Sequence, residues 1–599
     1  MSGRSWLGIV GLVTALAAFV AYRSQPAAPP AIDEAAVRSG PHPRALASEP
    51  LTMMALERRG LSFHDVLADR GYDALVDSLT SDLAELARRP GVGTSEDALN
   101  RTFDVRWLHD PDATFELVGL VPRLDRAFAE PDTGRCGELR RVYRLALTRR
   151  GRPTTRLPMT ISVISFERGS CRPVAERLVA LPRAGAPRLD ALVGLYGLPP
   201  GRSAERIEVN LQNLHGTATP QDNEDHAEYL LRSFDITPEG HLVAHPLLAT
   251  PREDLSPSEK DRLSDYLRAH FDDVDRGTLV LPTDLLAVRA ISVSPRGLAR
   301  ERNRVFRKLF GADAETRFAG LPYGSARVTR SPRAFLRRLD QGTCQGCHQS
   351  RAIAGFHLLG EERDKERTFN ALRVGISNHL AAELPWREAM IEAIAAGRAY
   401  DVPRPFAERG GPGGYGARCG LGDPGYAAYT CEPGLACKDD RGDELGACLP
   451  ADGPHEGDAC EPAAVTTGAG PAGDHLSPEP SITCRVGTHV IPRDGCLGNG
   501  LGFPGGACTD RCTEAGAREG EGICAELPMS GYESDCFRTN EPIERCLVEH
   551  LGLSRVRACD PDHACRDDYA CARVLGGHGA CVPPYFVFQA RVDGPRTDR

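Results

Sequence analysis

Three hydrophobic patterns succeed one another along the chain. From residue 45 to residue 330 the apolar positions are periodic. "YDALVDSLTSDLAELARR" repeats them at helical spacing and predicts a helix. "GELRRVYRLALT" and "LPMTISVISF" are short apolar runs bounded by Arg, Gly and Pro, which predicts a β-hairpin. Cys136 opens the first of these strands and Cys171 follows the second. The two ends are neighbours in an antiparallel hairpin, so a Cys136 to Cys171 disulfide is geometrically natural. A second hairpin is expected from "AEYLLRSFDI", the turn "TPEG" and "HLVAHPLL". In "SPSE", Ser256 is a helix cap, Pro257 takes the first helical position and Glu259 closes a capping box. Residues 45–330 therefore read as an α+β globular domain.

Between residues 331 and 409 the pattern is helical throughout. "SPRAFLRRLDQGTCQGCHQS" predicts a helix capped by Ser331 with Pro332 at its start. "FNALRVGISNHLAAEL" and "WREAMIEAIAAG" predict two more, separated by a break at Pro385. This is a small all-α unit. From residue 410 to residue 599 the periodicity is lost among Gly, Pro, Asp and Glu, and 16 of the 20 cysteines lie between Cys419 and Cys581. Such a segment cannot bury enough apolar surface to fold alone, so it reads as an irregular region stapled by disulfides. "CEPGLACKDDRGDELGACLP" from Cys431 and "CRDDYACARVLGGHGACVPP" from Cys565 share their cysteine spacing and their Gly-Ala-Cys ending, which marks a duplicated module. A zinc reading is weaker, because Cys508 and Cys512 form the single close pair there. Spacing does not disclose the connectivity.

Ahead of these zones, Arg4 precedes a mostly apolar run from Trp6 to Tyr22, and Arg23 with "SQPAAPPAI" follows. Residues 1–30 thus read as an export signal, with cleavage and membrane anchoring through residues 6–22 both open. The expected location is the periplasm or cell envelope, where lasting disulfides persist. A formal net charge of -10 gives no reason to expect nucleic-acid binding. From Arg296 to Ala352, however, 13 Lys and Arg face four Asp and Glu. That stretch can steer an acidic redox partner or simply form a solvated helix surface.

Candidate chemistry is concentrated in "TCQGCHQSRAIAGFHLLG", Thr343 to Gly360. Elsewhere, "NLHGTATPQDNEDHAEY" sets His215 and His226 among Asp222, Glu224 and Asp225. It can seat a metal or a base, but matches no metal spacing and reads equally as a polar loop between strands. "DDVDRG" around Asp273 begins like a calcium loop, lacks the later ligands and reads as a helix end. No nucleophile elbow, phosphate loop or dinucleotide fingerprint is present.

The helical unit with Cys344, Cys347 and His348 near its start resembles a c-type cytochrome domain. The resemblance implies haem c, with Cys344 and Cys347 as its thioether thiols and His348 as the proximal iron ligand. For the distal ligand it leaves Met390, a histidine or an open position. Met390 is favoured because the chain between it and His348 is long enough to cross the haem. His357 can approach only if Gly355 breaks the helix and turns the chain back. Otherwise His357 and His379 read as surface or helix-packing residues. The unit is short, and Met390 stands in a helical stretch rather than a loop. The whole chain also resembles uncharacterised exported bacterial proteins that join such a motif to a cysteine-rich tail, a likeness that implies no activity. The expected function is single-electron transfer by an exported mono-haem protein, a carrier or binding protein rather than a catalyst. The alternatives are a periplasmic or cell-surface binding protein with a Cys344 to Cys347 disulfide, and a thiol oxidoreductase.

Overall fold

The computed structural model describes residues 42–67, 72–86, 103–129, 133–149, 154–181, 189–198, 204–215, 226–293, 303–348, 355–361, 363, 375–406, 412–413, 418–438 and 445–451, and beyond these only the strand residues 485–486, 489–490, 496–497, 507–508, 558–559, 570–573 and 579–582. The export segment and the loop with Asp222, Glu224 and Asp225 lie outside the described residues. No helix among the described residues is long and apolar enough to cross a membrane.

Alternating side chains between residues 113 and 293 build a seven-stranded antiparallel sheet. Strands β1 (Ala113–Arg123), β2 (Arg135–Leu147), β3 (Thr155–Arg168), β4 (Arg206–His215) and β5 (His226–Ile236) are each paired to the next. The far side of β5 is shared by β6 (Leu242–Ala244) and β7 (Arg289–Val293). The β2–β3 hairpin forms as expected, and a Cys136–Cys171 disulfide joins its ends. The second hairpin is shorter than its sequence pattern, pairing only Phe234–Ile236 with Leu242–Ala244. Two residues on stands Pro246, which has no N–H to add to the ladder.

The two faces of the sheet differ in chemistry. On one, Leu139, Tyr143 and Leu145 of β2 continue into Ile161 and Val163 of β3 and Ile207 and Leu211 of β4, all buried. On the other, Glu138, Arg140 and Val142 lie opposite Phe166, Ile164 and Ser162, and the register continues from Ser162 and Thr160 to Glu208 and Asn210 and on to Ser233 and Leu231. This second, largely polar face forms one wall of a cavity.

The opposite walls come from segments near 245–248, 280–286, 341–348 and 356–358 and from the helix Asn378–Ala395. α1 (Pro257–Ala269), α2 (Phe271–Arg276), α3 (Val305–Phe310) and α4 (Pro332–Gly342) share a core that includes Leu263, Phe271, Phe306 and Phe335. The capping box at Ser256 forms with both of its bonds. Residues around Asp273 belong to α2, which stops at Gly277 in the left-handed conformation, so the helix-end reading holds there. α5 is the single turn Cys344–Cys347, and α6 spans Asn378–Ala395. The expected break at Pro385 does not occur, and α6 passes through it. Pro385 forfeits one bond to the Ala381 carbonyl. Both residues lie on the exposed side, so the freed carbonyl is open to solvent.

Residues 331–406 share their packing with the sheet rather than standing apart. Leu358, Leu380 and Leu384 lie in one core with Val118, Val121 and Val142. The Ser292 hydroxyl of β7 donates to the carbonyls of Gln345 and His348, and Thr250 Oγ1 accepts from the Cys344 amide. The first tail module follows. Its strands Arg418–Cys419, Leu435–Lys438 and Gly446–Pro450 are held by Cys419–Cys437 and Cys431–Cys448 disulfides, and Tyr426 and Leu445 pack with Phe406 against Ala334 of α4. Strands Ala558–Cys559, Ala570–Arg573 and Gly579–Val582 repeat its order, with the last strand in the middle. The register repeats too: Cys581 faces Cys571 as Cys448 faces Cys437, and Gly579 faces Cys559 as Gly446 faces Cys419.

Candidate functional site

The motif sits where α4 turns into α5. Thr343 Oγ1 donates to the Asp340 carbonyl at 2.6 Å and accepts from the Gly346 amide at 3.0 Å, capping the short helix. At Gly346 a Cβ would lie 1.9 Å from the Asp340 oxygen, so this turn admits only glycine. After α5 the chain reverses at Gly355, whose φ of +83° is open to glycine and strained for other residues. That reversal carries His357 back beside the cysteines, and α6 brings His379 from the other side.

Cys344 and Cys347 are both free thiols, so the disulfide of the alternative reading is not formed. Protein surrounds both, yet each keeps part of its surface open to the cavity. The two differ electrostatically. Burial pushes Cys344 up to about 11. Burial acts on Cys347 in the same sense, but the charge and hydrogen bond of His379 outweigh it and lower the thiol below its ordinary value. Cys347 Sγ lies 3.1 Å from His357 Nε2 and 3.7 Å from His379 Nε2. His357 Nδ1 is 2.9 Å from the Ser377 hydroxyl, which is positioned at the N-terminus of α6 by its bond from the Leu380 amide. Donation from Nδ1 to that hydroxyl leaves the Nε2 lone pair facing Cys347.

Behind His379 stands Glu383, which reaches its Nε2 at 3.4 Å and is held by Arg387 and by Arg404. Burial would raise Glu383, but Arg404, Arg387 and His379 keep it well below the carboxylate range. His357 is pushed down to about 4, chiefly by burial, and His348 to about 3 by burial and the neighbouring His357. The three imidazoles form a row, with ring centres 4.5 Å apart for His348 and His357 and 5.0 Å for His357 and His379.

Cys347, His357 and His379 can hold a metal ion, since their donor atoms lie within 4.8 Å of one another. A tetrahedral ion with ordinary zinc bond lengths separates a thiolate and an imidazole nitrogen by about 3.6 Å. The two sulfur-to-nitrogen distances fall on either side of that value. His348 Nδ1 donates to the Gly355 carbonyl, which also accepts from Asn210 Nδ2 at 2.9 Å. Its Nε2 therefore keeps a free lone pair, as an iron ligand requires. Haem does not fit at Cys347 as placed, because a thioether there would displace the imidazoles already touching the sulfur.

Cys344, Cys347, His348, His357 and His379 all line a cavity of about 380 Å³ above the polar sheet face. Met390 does not join them. It is half-buried on α6, three turns and about 16 Å beyond His379, and lines an adjoining cavity of about 370 Å³ that shares His379 and Arg404 as a wall. His215 and His226 pair across the end of the β4–β5 hairpin. From sequence, His357 comes near only on a break at Gly355 and His379 reads as a surface or packing residue, yet the chain holds a signal for each. His379, Glu383 and Arg387 repeat at i, i+4 on one helix, and His357 is bracketed by Gly355 and Gly360. No protein-family model, curated protein or solved structure matches this chain.

Proposed function

We propose that this chain is a metalloprotein whose centre is a single transition-metal ion on Cys347, His357 and His379, with an open position facing a cavity sized for a small molecule. The observation that carries the reading is the convergence of one sulfur and two imidazole nitrogens within 4.8 Å of one another, close enough for one ion to gather them. Thiolate with imidazole selects zinc or copper over hard cations. Three protein ligands and an accessible fourth position are the arrangement of a reactive ion rather than a structural one. Ser377 orients the His357 imidazole through Nδ1, while Glu383, held ionised by Arg387 and Arg404, stands beside His379 Nε2 and gives up that contact when the nitrogen takes the ion.

The test is metal content of the purified chain followed by titration of the metal-free form with Co(II), read by its sulfur-to-metal absorption. One ion per chain is expected. Cys347→Ser, His357→Ala and His379→Ala should each weaken it by about a hundredfold, with Cys344→Ser near wild type. Metal binding indifferent to Cys347→Ser overturns the reading.

A second reading is covalent haem c on Cys344 and Cys347 with His348 as proximal ligand, favoured by the Nδ1 bond of His348 to the Gly355 carbonyl and requiring His357 and His379 to move off the Cys347 sulfur. Haem bound there would supply single-electron transfer. Both cysteine variants, and not Cys347→Ser alone, should then lose acid-stable colour in protein made with haem-maturation machinery. A colourless wild-type product from that host rejects it.

A further inference from the structure

The cavity beside the metal ligands is short of negative charge. Seven arginines line it, and among the described residues six carboxylates pair with them: Asp125, Glu138, Glu208, Asp235, Asp82 and Glu383. Asp82 is shared with Arg289 as well. A divalent ion on one thiolate adds a further positive charge. Unbalanced charge away from bulk water is costly, and a bound anion removes the cost.

The donors are also underused. Arg126 touches Glu138 and Glu208 only through Nη1, at 3.3 Å and 3.4 Å, so its other nitrogens are available. Asn210 is 8% exposed and its Oδ1 has no partner, and Ser233 is 2% exposed with an unpartnered hydroxyl. Both line the cavity. Ser233 lies directly across from Glu208 in the sheet, with Asn210 two residues along the same face. An unpartnered buried amide oxygen calls for a donor on whatever fills the space. The remaining walls are apolar, with Leu231, Leu247, Leu281 and Leu286 among them.

We infer that this cavity binds a small organic carboxylate bearing a hydroxyl or amino group, its carboxylate on Arg126 and the Ser233 hydroxyl, its donor on Asn210 Oδ1. The inference deepens the metal-centre reading and rests on it for part of the charge deficit. The Arg126, Ser233 and Asn210 contacts are independent of the ion.

Calorimetric titration of the full chain loaded with zinc tests it, using 2-hydroxybutyrate, butyrate, butyramide and inorganic phosphate. 2-Hydroxybutyrate should bind, butyrate should bind about tenfold more weakly for want of the donor, and butyramide should not bind. Arg126→Gln should weaken 2-hydroxybutyrate by about tenfold or more, and Ser233→Ala, a smaller change, by several-fold. Butyramide binding as well as butyrate, phosphate exceeding every carboxylate, or no binding of any carboxylate each overturns the inference. The same titration on Cys347→Ser separates the two readings. Arg126-dependent binding that survives there supports the carboxylate site even if the metal reading fails. A metal-loaded wild type that ignores carboxylates sinks the site alone.

Discussion

Replacing Gly355 with alanine should collapse the candidate site, and the structure supplies both the magnitude and the control. At φ +83° a Cβ on residue 355 would lie 2.2 Å from Cγ and Cδ1 of Tyr229, against about 3.4 Å for ordinary contact. The backbone would have to retreat by about 1.2 Å, the difference of those two distances. Tyr229 cannot give way instead, being 1% exposed on β5 between β4 and β7. That retreat pulls the Gly355 carbonyl from His348 Nδ1 and Asn210 Nδ2 and drags His357, two residues on, away from Cys347. The left-handed backbone costs about 1–2 kcal/mol. Each of the two buried bonds to the carbonyl costs about 1–3 kcal/mol when broken, so the total is about 3–8 kcal/mol. Gly169 is the matched control, with the same φ of +83° and nothing within 4 Å of its Cβ, so Gly169→Ala should lose only the backbone part. Denaturant unfolding of the metal-free protein gives both values, and Co(II) titration shows whether the site survives. Equal losses for the two variants, or wild-type metal affinity in Gly355→Ala, would refute this account of the turn.

The metal-free protein should lose stability as pH falls from about 6.5 towards 4, measured by denaturant unfolding at each pH. His357 and His348 are depressed to about 4 and about 3, so across that window the unfolded chain binds more protons and stability rises with pH. Two such groups give a slope of up to about 2.7 kcal/mol per pH unit, and a flat profile rejects the buried neutral imidazoles. Asp275→Ala should destabilise by about 3 kcal/mol or more in thermal unfolding. Its carboxylate accepts from the amides of Arg327, Val328 and Thr329 and from the Thr329 hydroxyl, and a wild-type melting temperature would deny it that role. In the second tail module, peptide mapping without reduction should find Cys559 joined to Cys571, the counterpart of Cys419–Cys437. Any other partner for Cys559 breaks the equivalence of the modules.

What was legible in the sequence was local. The β2–β3 hairpin, the Ser256 capping box, the helix end at Gly277 and the Cys136–Cys171 bond each depend on residues near one another in the chain or on adjacent strands. The concentration of chemistry in Cys344, Cys347 and His348 was visible for the same reason, as was the condition that a break at Gly355 would bring His357 back. The continuity of α6 through Pro385 was not, because it depends on which side of the helix meets water.

The composition of the site was decided only by tertiary structure. His379 is 32 residues from Cys347 in the chain and 3.7 Å from it in space; its i, i+4 repeat with Glu383 and Arg387 marks one helix face without saying which distant residue that face meets. The polar wall is a similar case. The alternation of Glu138, Arg140 and Val142 marks a strand with one polar side, which by itself reads as a face turned to solvent. Segments from elsewhere in the chain, packed over that side, turn it into a buried cavity of paired charges. Periodicity reports which residues share a face, and only the packing of distant elements determines what that face meets.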